Sequence, residues 1–224
     1  MGILKWKRKI KPSPARFKKE FDFAMNFVKQ TLEREKNNKD KIIILDFMLT
    51  VIKEDLKTDL LSHILYSKEH FERYFRYPIP LFYYDEKGNE IAIKELGAVE
   101  LNLAQDCVLA LPWHRERLCE QIKNIFINKF IYDEYNQWGY YFPYIGLCYV
   151  YNGIHSVASG IVHKKGTITV EQYDITELFS HIYTDGQNWY SSHNNNNLGR
   201  LADFRLGIIY EIARVKHKLE QTAL

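Results

Sequence analysis

Cysteine is scarce in this sequence, which has only Cys107, Cys119 and Cys148. Their number is odd and they are scattered, with no Cys-x-x-Cys motif and no cluster of cysteines and histidines at metal-ligand spacing. A disulfide framework and a structural zinc site are therefore not indicated. Because unpaired cysteines are typical of a reducing compartment, we expect a cytoplasmic protein.

Long apolar runs are also missing. No stretch approaches the roughly 18 uninterrupted apolar residues of a transmembrane helix, and the N-terminal segment lacks the apolar region of a signal peptide. We therefore expect a soluble protein that has no membrane partner and stays inside the cell. The net charge is only +3 at pH 7, so the total charge indicates no class of partner.

Apolar and aromatic residues, in contrast, are plentiful, at 46% and 15% of the 224 residues. A chain of this length and composition can bury a sizeable core, which fits one domain with an appendage or two small domains. Disorder is excluded for most of the length, because disordered chains are poor in these residues.

Basic residues are concentrated in an arm, residues 1–19, that contains no acidic residue. Its basic side chains are Lys5, Lys7, Arg8, Lys9, Lys11, Arg16, Lys18 and Lys19. Such an arm can neutralise the phosphates of nucleic acid or of anionic lipid. The alternatives are a solvated, frayed terminus, or an arm that Trp6 and Ile10 dock on its own domain.

The next part of the chain has a helical pattern. Apolar residues at helical spacing predict an amphipathic helix from about residue 14 to residue 36, ended by the loop "REKNNKDK". The segment "IIILDFMLTVIKEDL" fits a buried helix or a strand, and its length favours a helix. Residues 20–76 are therefore predicted to form a helical unit.

The pattern changes at residue 77. Two strand-like runs around "DEKGNE" predict a β-hairpin, and a short strand, a corner at Pro112 and a helix follow. After the predicted loop "QWGYYFPY" come a strand, a turn and a helix. A strand at "TITVEQYD", a short helix and the polar loop "DGQNWYSSHNNNNLG" precede a last helix from about residue 200 to residue 220.

This succession of elements predicts an α+β fold. We divide the chain into the basic arm of residues 1–19, the helical unit of residues 20–76, a mixed α/β core of residues 77–198 and a C-terminal helix of residues 199–224. Candidate functional residues fall in the core, at two places where a strand gives way to a helix.

One of these places is the turn "NGIHS", residues 152–156. Asn152 and Gly153 end a strand, and His155 and Ser156 fall on the first turn of the following helix. The free N–H groups and the helix dipole attract an anion there, a serine hydroxyl can hydrogen-bond, and a histidine can carry a proton. In the alternative interpretation Ser156 is simply the N-cap and His155 a surface residue beside it.

The other place is the corner "LPWHRERL", where His114, Arg115 and Arg117 lie at the start of a helix. Arginines make bidentate contacts to phosphate or carboxylate, so this corner is a candidate clamp for an anionic ligand. His155 and His163 have poor geometry for joint metal ligation, and His63 and His70 share a helix face but lack a nearby third ligand, so we predict no metal site.

The order of these motifs resembles the ParB and sulfiredoxin-like superfamily over residues 99–173. In that superfamily, the turn that corresponds to residues 152–156 reads G-x-H-R or G-x-R-R and binds the phosphate of a nucleotide or substrate. Gly153 and His155 match it, whereas Ser156 stands where arginine is usual. We find no E-N-x-Q-R segment of the ParB kind and no cysteine next to Gly153 as in sulfiredoxin. The resemblance implies a ParB-like core that binds phosphate, and "NG-x-HS" and "PWHRERL" are also similar to phrases of uncharacterised bacterial proteins.

Two hypotheses of different classes follow. In the first, a bacterial intracellular enzyme acts on a nucleotide or nucleic acid by phosphotransfer or nuclease chemistry, with Mg²⁺ if a nucleotide is bound. In the second, the same fold is a non-catalytic module that binds nucleic acid or a partner protein, which includes a second copy. The candidate catalytic residues are His155 and Ser156, and the candidate ligand-binding residues are Asn152, Gly153, His114, Arg115 and Arg117.

Overall fold

The computed structural model describes residues 14–67 and 77–222. Residues 1–13 of the predicted arm and 68–76 of the predicted helical unit lie outside the described residues. The fold is α+β, as predicted. Its helices are α1 (Pro14–Arg34), α2 (Asn38–Tyr66), α3 (Arg115–Ile127), α4 (Ile154–His163), α5 (Leu178–His181) and α6 (Phe204–Gln221). Its strands are β1 (Phe82–Tyr84), β2 (Glu90–Ala92), β3 (Glu95–Asn102), β4 (Val108–Leu109), β5 (Trp138–Phe142), β6 (Leu147–Asn152), β7 (Thr167–Tyr173), β8 (Ile182–Thr184), β9 (Asn188–Ser191) and β10 (Asn197–Arg200).

The two helices predicted in the N-terminal region are confirmed as α1 and α2. α2 begins earlier than predicted, inside the segment "REKNNKDK". The side chain of Asn37 accepts a hydrogen bond from the backbone N–H of Lys39 (2.8 Å) and so caps the helix within this polar segment. No helix in the described ranges combines the length and apolar character needed to cross a membrane.

A five-stranded sheet forms the centre of the fold, with the strand order β3-β7-β5-β6-β4. β4 and β6 are parallel neighbours, whereas β5 pairs with β6 in antiparallel fashion. α3 and α4 cover one face, where Leu118 and Val157 join a cluster with Val150 of β6. On the other face, α2 and α6 pack in a cluster that includes Tyr149 of the same strand.

The segment "QWGYYFPY", predicted as a loop, instead contains the strand β5. Its residues pair with β6 and β7, so the segment lies in the middle of the sheet. Gly139 permits this close pairing, because a Cβ there would lie 2.9 Å from the carbonyl oxygen of Tyr149. The prediction was wrong because aromatic residues that pack in a sheet were interpreted as loop residues.

The segment "DGQNWYSSHNNNNLG" is also not a loop over its whole length. It holds β9 and β10, which form a three-stranded antiparallel sheet with β8. Trp189 and Ser191 are buried at alternate positions of β9, while the polar residues between strands make the turns. Gly186 and Asn195 have positive φ angles of 84° and 58°, which fits these two residue types.

The predicted C-terminal helix is present as α6 and begins at Phe204. Asp203 ends the preceding segment, because its side chain accepts a hydrogen bond from the backbone N–H of Arg205 (3.0 Å) and caps the helix. Residues 205–213 are all buried. The helix is therefore a central element of the core and not an appendage on its surface.

Candidate functional site

The two sequence motifs meet at one edge of the central sheet. β4 and β6 are parallel, with Val108 opposite Cys148, and each leads directly to a helix, α3 and α4 respectively. The two helices therefore begin side by side at the same sheet edge. The backbone N–H of His114 donates a hydrogen bond to Nε2 of His155 across 3.0 Å, which joins the two helix starts. We call residues 112–117 and 152–156 the paired corner.

Gly153 sets the geometry of the second helix start. It is the N-cap of α4 and has a φ angle of 67°, in the left-handed region that favours glycine. A Cβ at this position would lie 2.9 Å from the carbonyl oxygen of Asn136 and 2.9 Å from Cγ of Gln137. Both the turn and the tight contact with residues 136–137 therefore require glycine. Asn152, just before it, ends β6 and pairs with Trp138 at a bulge.

Ser156 lies on the first turn of α4, as predicted, but it is not the N-cap. Its hydroxyl donates to the carbonyl oxygen of Gly153 (2.8 Å) and accepts a hydrogen bond from Nε2 of Gln137 (3.1 Å). The Gln137 side chain is buried, and its Oε1 accepts the backbone N–H of Asp133 (2.6 Å). Ser156 and Gln137 thus fix the turn to the segment before β5.

His155 is half-buried between the two helix starts. Because its Nε2 accepts the N–H of His114, the neutral ring carries its proton on Nδ1. Burial, and then the charges of Arg117 and His114, lower the pKa of His155 from its usual value of 6.5 to about 4. The ring is therefore neutral at pH 7, and its edge packs against Trp113 at a centroid distance of 5.3 Å.

The start of α3 carries the exposed cation Arg117. His114 is its N-cap and accepts the backbone N–H of Arg117 at Nδ1 (3.3 Å). The exposed guanidinium of Arg117 stacks over the ring of Trp113, with its carbon 5.4 Å from the ring centre. Glu116 is an acidic side chain on the same turn.

Arg115 has a different set of contacts. Its Nε donates to the carbonyl oxygen of Ile64 and its Nη2 to that of Ser67, each at 3.1 Å. The guanidinium thus caps the C-terminal end of α2. Arg115 is next to the paired corner in sequence, but its charge is directed to the helical part of the fold.

The structure therefore brings together most of the predicted site residues, namely His114, Arg117, Asn152, Gly153, His155 and Ser156. It adds Trp113 and Gln137, which sequence reasoning missed. Trp113 lies inside the motif "PWHRERL", so its place in the sequence could have marked it as a site residue. Gln137 lies in a segment predicted as a loop, and no sequence pattern marked it as a site residue. In residues 14–67 and 77–222, no group of three or more His, Cys, Asp or Glu side chains is arranged to hold a metal ion.

The electrostatic character of the paired corner is positive. Two helix N-termini, each equivalent to roughly half an elementary charge, converge there, and the full positive charge of Arg117 is opposed by the negative charge of Glu116 on the same turn. This arrangement suits an anion.

Comparison with known proteins identifies the family. Residues 5–223 match the model of a family of unknown function (DUF6710). Since the match spans nearly the whole sequence, the chain belongs to this family. The search of curated proteins gave no match, and the search of solved structures gave none.

Proposed function

We propose that this member of the DUF6710 family binds a phosphate-bearing ligand, a nucleotide or a nucleic acid, at the paired corner. The hydrogen bond from His114 to His155 carries the proposal, because it holds the starts of α3 and α4 together. Free N–H groups of a helix start bind phosphate well, and two adjacent starts can bind two oxygens of one phosphate group or two neighbouring phosphates.

Arg117 supplies the cation in this proposal. Its guanidinium is exposed and lies over the Trp113 ring, and no carboxylate in residues 14–67 and 77–222 forms an ion pair with it, so it can reach a phosphate. A phosphate at an arginine makes charge-assisted and often bidentate hydrogen bonds. We assign no ligand contact to Arg115, because its guanidinium is engaged with Ile64 and Ser67.

The contacts of His155 and Ser156 favour binding over catalysis. To accept a proton at Nε2, His155 would have to break its hydrogen bond with His114. The Ser156 hydroxyl already donates to the Gly153 carbonyl. We therefore propose that both residues position the turn, and that phosphotransfer or nuclease activity is the secondary hypothesis.

The proposal also includes a fold relationship and a cellular location. A ParB-like organisation of residues 77–198 is supported by the glycine turn and histidine at the end of β6. A cytoplasmic location is supported by Cys107, Cys119 and Cys148, which are all free thiols.

Thermal unfolding of the full chain tests the proposal. The ligands are nucleoside mono- and triphosphates, inorganic phosphate and a short single-stranded oligonucleotide, each with and without Mg²⁺. A ligand at about a hundred times its dissociation constant should add about 2.7 kcal/mol to the free energy of unfolding, or roughly 5 to 10 °C. No shift with any ligand would contradict phosphate binding.

Arg117→Gln identifies the site. It should weaken binding about 10- to 100-fold, because it removes a charge-assisted contact. Arg34→Gln is the matched control, because Arg34 is also exposed but lies on α1. Equal loss in both variants would show a general charge effect and no site at the corner.

Salt dependence separates nucleic acid from nucleotide. In the described part of the basic arm, Arg16 pairs with Glu20 and Lys18 with Asp22, so these charges are partly neutralised. If the ligand is nucleic acid and the arm contributes, deletion of residues 1–13 should flatten the dependence of oligonucleotide affinity on salt. An unchanged slope would assign binding to the corner without the arm.

A further inference from the structure

Both N-terminal helices carry large apolar side chains that are exposed. On α1, Phe23 and Phe27 are 64% and 59% exposed, and on α2, Ile43, Phe47 and Val51 are 65%, 70% and 49% exposed. A spacing of four residues keeps each set on one side of its helix. We call them the α1 stripe and the α2 stripe.

The stripes lie opposite the faces that the helices bury. α1 buries Phe21 and Val28, and α2 buries Leu45, Leu49 and Leu56. Both helices pack against α6 with these buried faces. Single exposed apolar residues are normal on a protein surface, whereas five large ones at regular spacing on neighbouring helices mark an interaction surface.

α1 and α2 run in opposite directions along α6. Near the start of α6, Phe17 of α1 stacks on Phe204 at 5.2 Å, and Asp55 of α2 bonds to Arg205 at 2.9 Å. The first part of α1 and the second half of α2 therefore lie at the same end of the helix pair.

At this end the two stripes have opposite charges. Lys19 is exposed four residues before Phe23, and its Nζ lies 5.7 Å from the centre of that ring. Glu54 is exposed three residues after Val51 and lies on the same side of α2, where its carboxylate also accepts a hydrogen bond from Nζ of Lys57 (2.7 Å). The α1 stripe thus ends in a cation and the α2 stripe in an anion.

We propose that the two stripes form the interface of a homodimer. The α1 stripe of one copy covers the α2 stripe of the other, about a twofold axis parallel to the helices. Because such an interface is isologous, each contact occurs twice. Lys19 of each copy then adds a second cation at Glu54 of the partner subunit, next to the pair that Glu54 makes on its own helix, which favours this arrangement over one that pairs like helices.

The exposed apolar area of the two stripes fits an interface with a second copy of the chain. A phenylalanine side chain offers roughly 150 to 250 Å² for burial, so the exposed parts of five such apolar residues give on the order of 500 Å² per copy. A standard interface buries about 800 Å² per partner, including its polar rim. The stripes are therefore large enough to form the apolar centre of a dimer interface. This inference is independent of phosphate binding.

Sedimentation velocity of the full chain between about 1 and 200 µM tests the proposal. The wild type should reach twice the 26.7 kDa mass of one chain within this range. Ile43→Glu should raise the dissociation constant at least about tenfold, because it buries a charge. Ile127→Glu on α3 is the matched control, since Ile127 is 77% exposed outside the stripes.

Charge reversal tests the arrangement. Lys19→Glu and Glu54→Lys should each weaken the dimer, and the double variant should restore it, because the pair is then present with reversed signs. A wild type that remains a monomer at the highest concentration would overturn the dimer, as would equal effects of Ile43→Glu and Ile127→Glu. Failure of the double variant to restore association would overturn the α1-on-α2 arrangement. Far-ultraviolet circular dichroism establishes that each variant is folded.

Discussion

Nε2 of His155 and the backbone N–H of His114 are 3.0 Å apart, and this hydrogen bond joins two segments that are 41 positions apart in the chain. It reinforces the adjacency of the two helix starts that the parallel strands β4 and β6 set up. Its loss should be measurable as a loss of stability and as a changed response to pH.

Stability should fall on acidification from pH 6.5 to pH 4, in part because of His155. Its pKa is about 4 in the folded protein and about 6.5 when unfolded, so the unfolded state binds more protons in this window. The contribution is complete above pH 6.5 and is lost as the pH falls toward 4. Urea denaturation at several pH values, with the wild type and His155→Gln, measures it.

The glutamine variant is the comparison because its side-chain oxygen can accept the His114 N–H without titrating. The difference in unfolding free energy between the two proteins should shift in favour of the variant as the pH falls. Parallel curves from pH 7 to pH 4 would show that His155 does not titrate as described.

Gly153→Ala should destabilise the protein by about 2 to 4 kcal/mol. The substitution forces a side chain into a left-handed conformation and also places a Cβ 2.9 Å from the Asn136 carbonyl oxygen. Gly88→Ala is the control, because Gly88 has a φ of 83° but nothing lies within 4 Å of the added Cβ. Gly88→Ala should lower the free energy of unfolding by about 1 kcal/mol. Similar costs at both positions, measured by denaturant unfolding, would mean that the contact with residues 136–137 is unimportant.

Arg205→Met should destabilise the protein by about 3 to 5 kcal/mol. Arg205 is buried and bonds Asp203 and Asp59 at 2.7 and 2.6 Å, so its replacement removes a positive charge that neutralises the buried carboxylate of Asp203. Arg16→Met removes an exposed pair with Glu20 and should cost less than about 1 kcal/mol. Equal melting temperatures of the two variants would contradict this role.

The sequence predicts best where one spacing persists over many residues. α1, α2 and α6 repeat apolar residues every three or four positions, and the glycine turn before α4 is marked by a residue type that the turn requires. The position of His155 on the first turn of α4 was therefore predictable.

The parts that could not be predicted depend on distant contacts. β5 combines aromatic residues with a glycine and β9 combines aromatic with polar residues, and only pairing with other strands decides that they are strands. The direction of Arg115 depends on carbonyl groups of α2, about 50 positions earlier, and no local pattern encodes it. The same holds for Gln137, whose partner Ser156 is 19 positions away.

Arg115 has a mechanical consequence. Its backbone is part of the first turn of α3, while its guanidinium holds the last carbonyl groups of α2. A displacement of either helix end would therefore lengthen or break these two hydrogen bonds. Arg115 therefore couples the position of the sheet edge to that of the C-terminal end of α2.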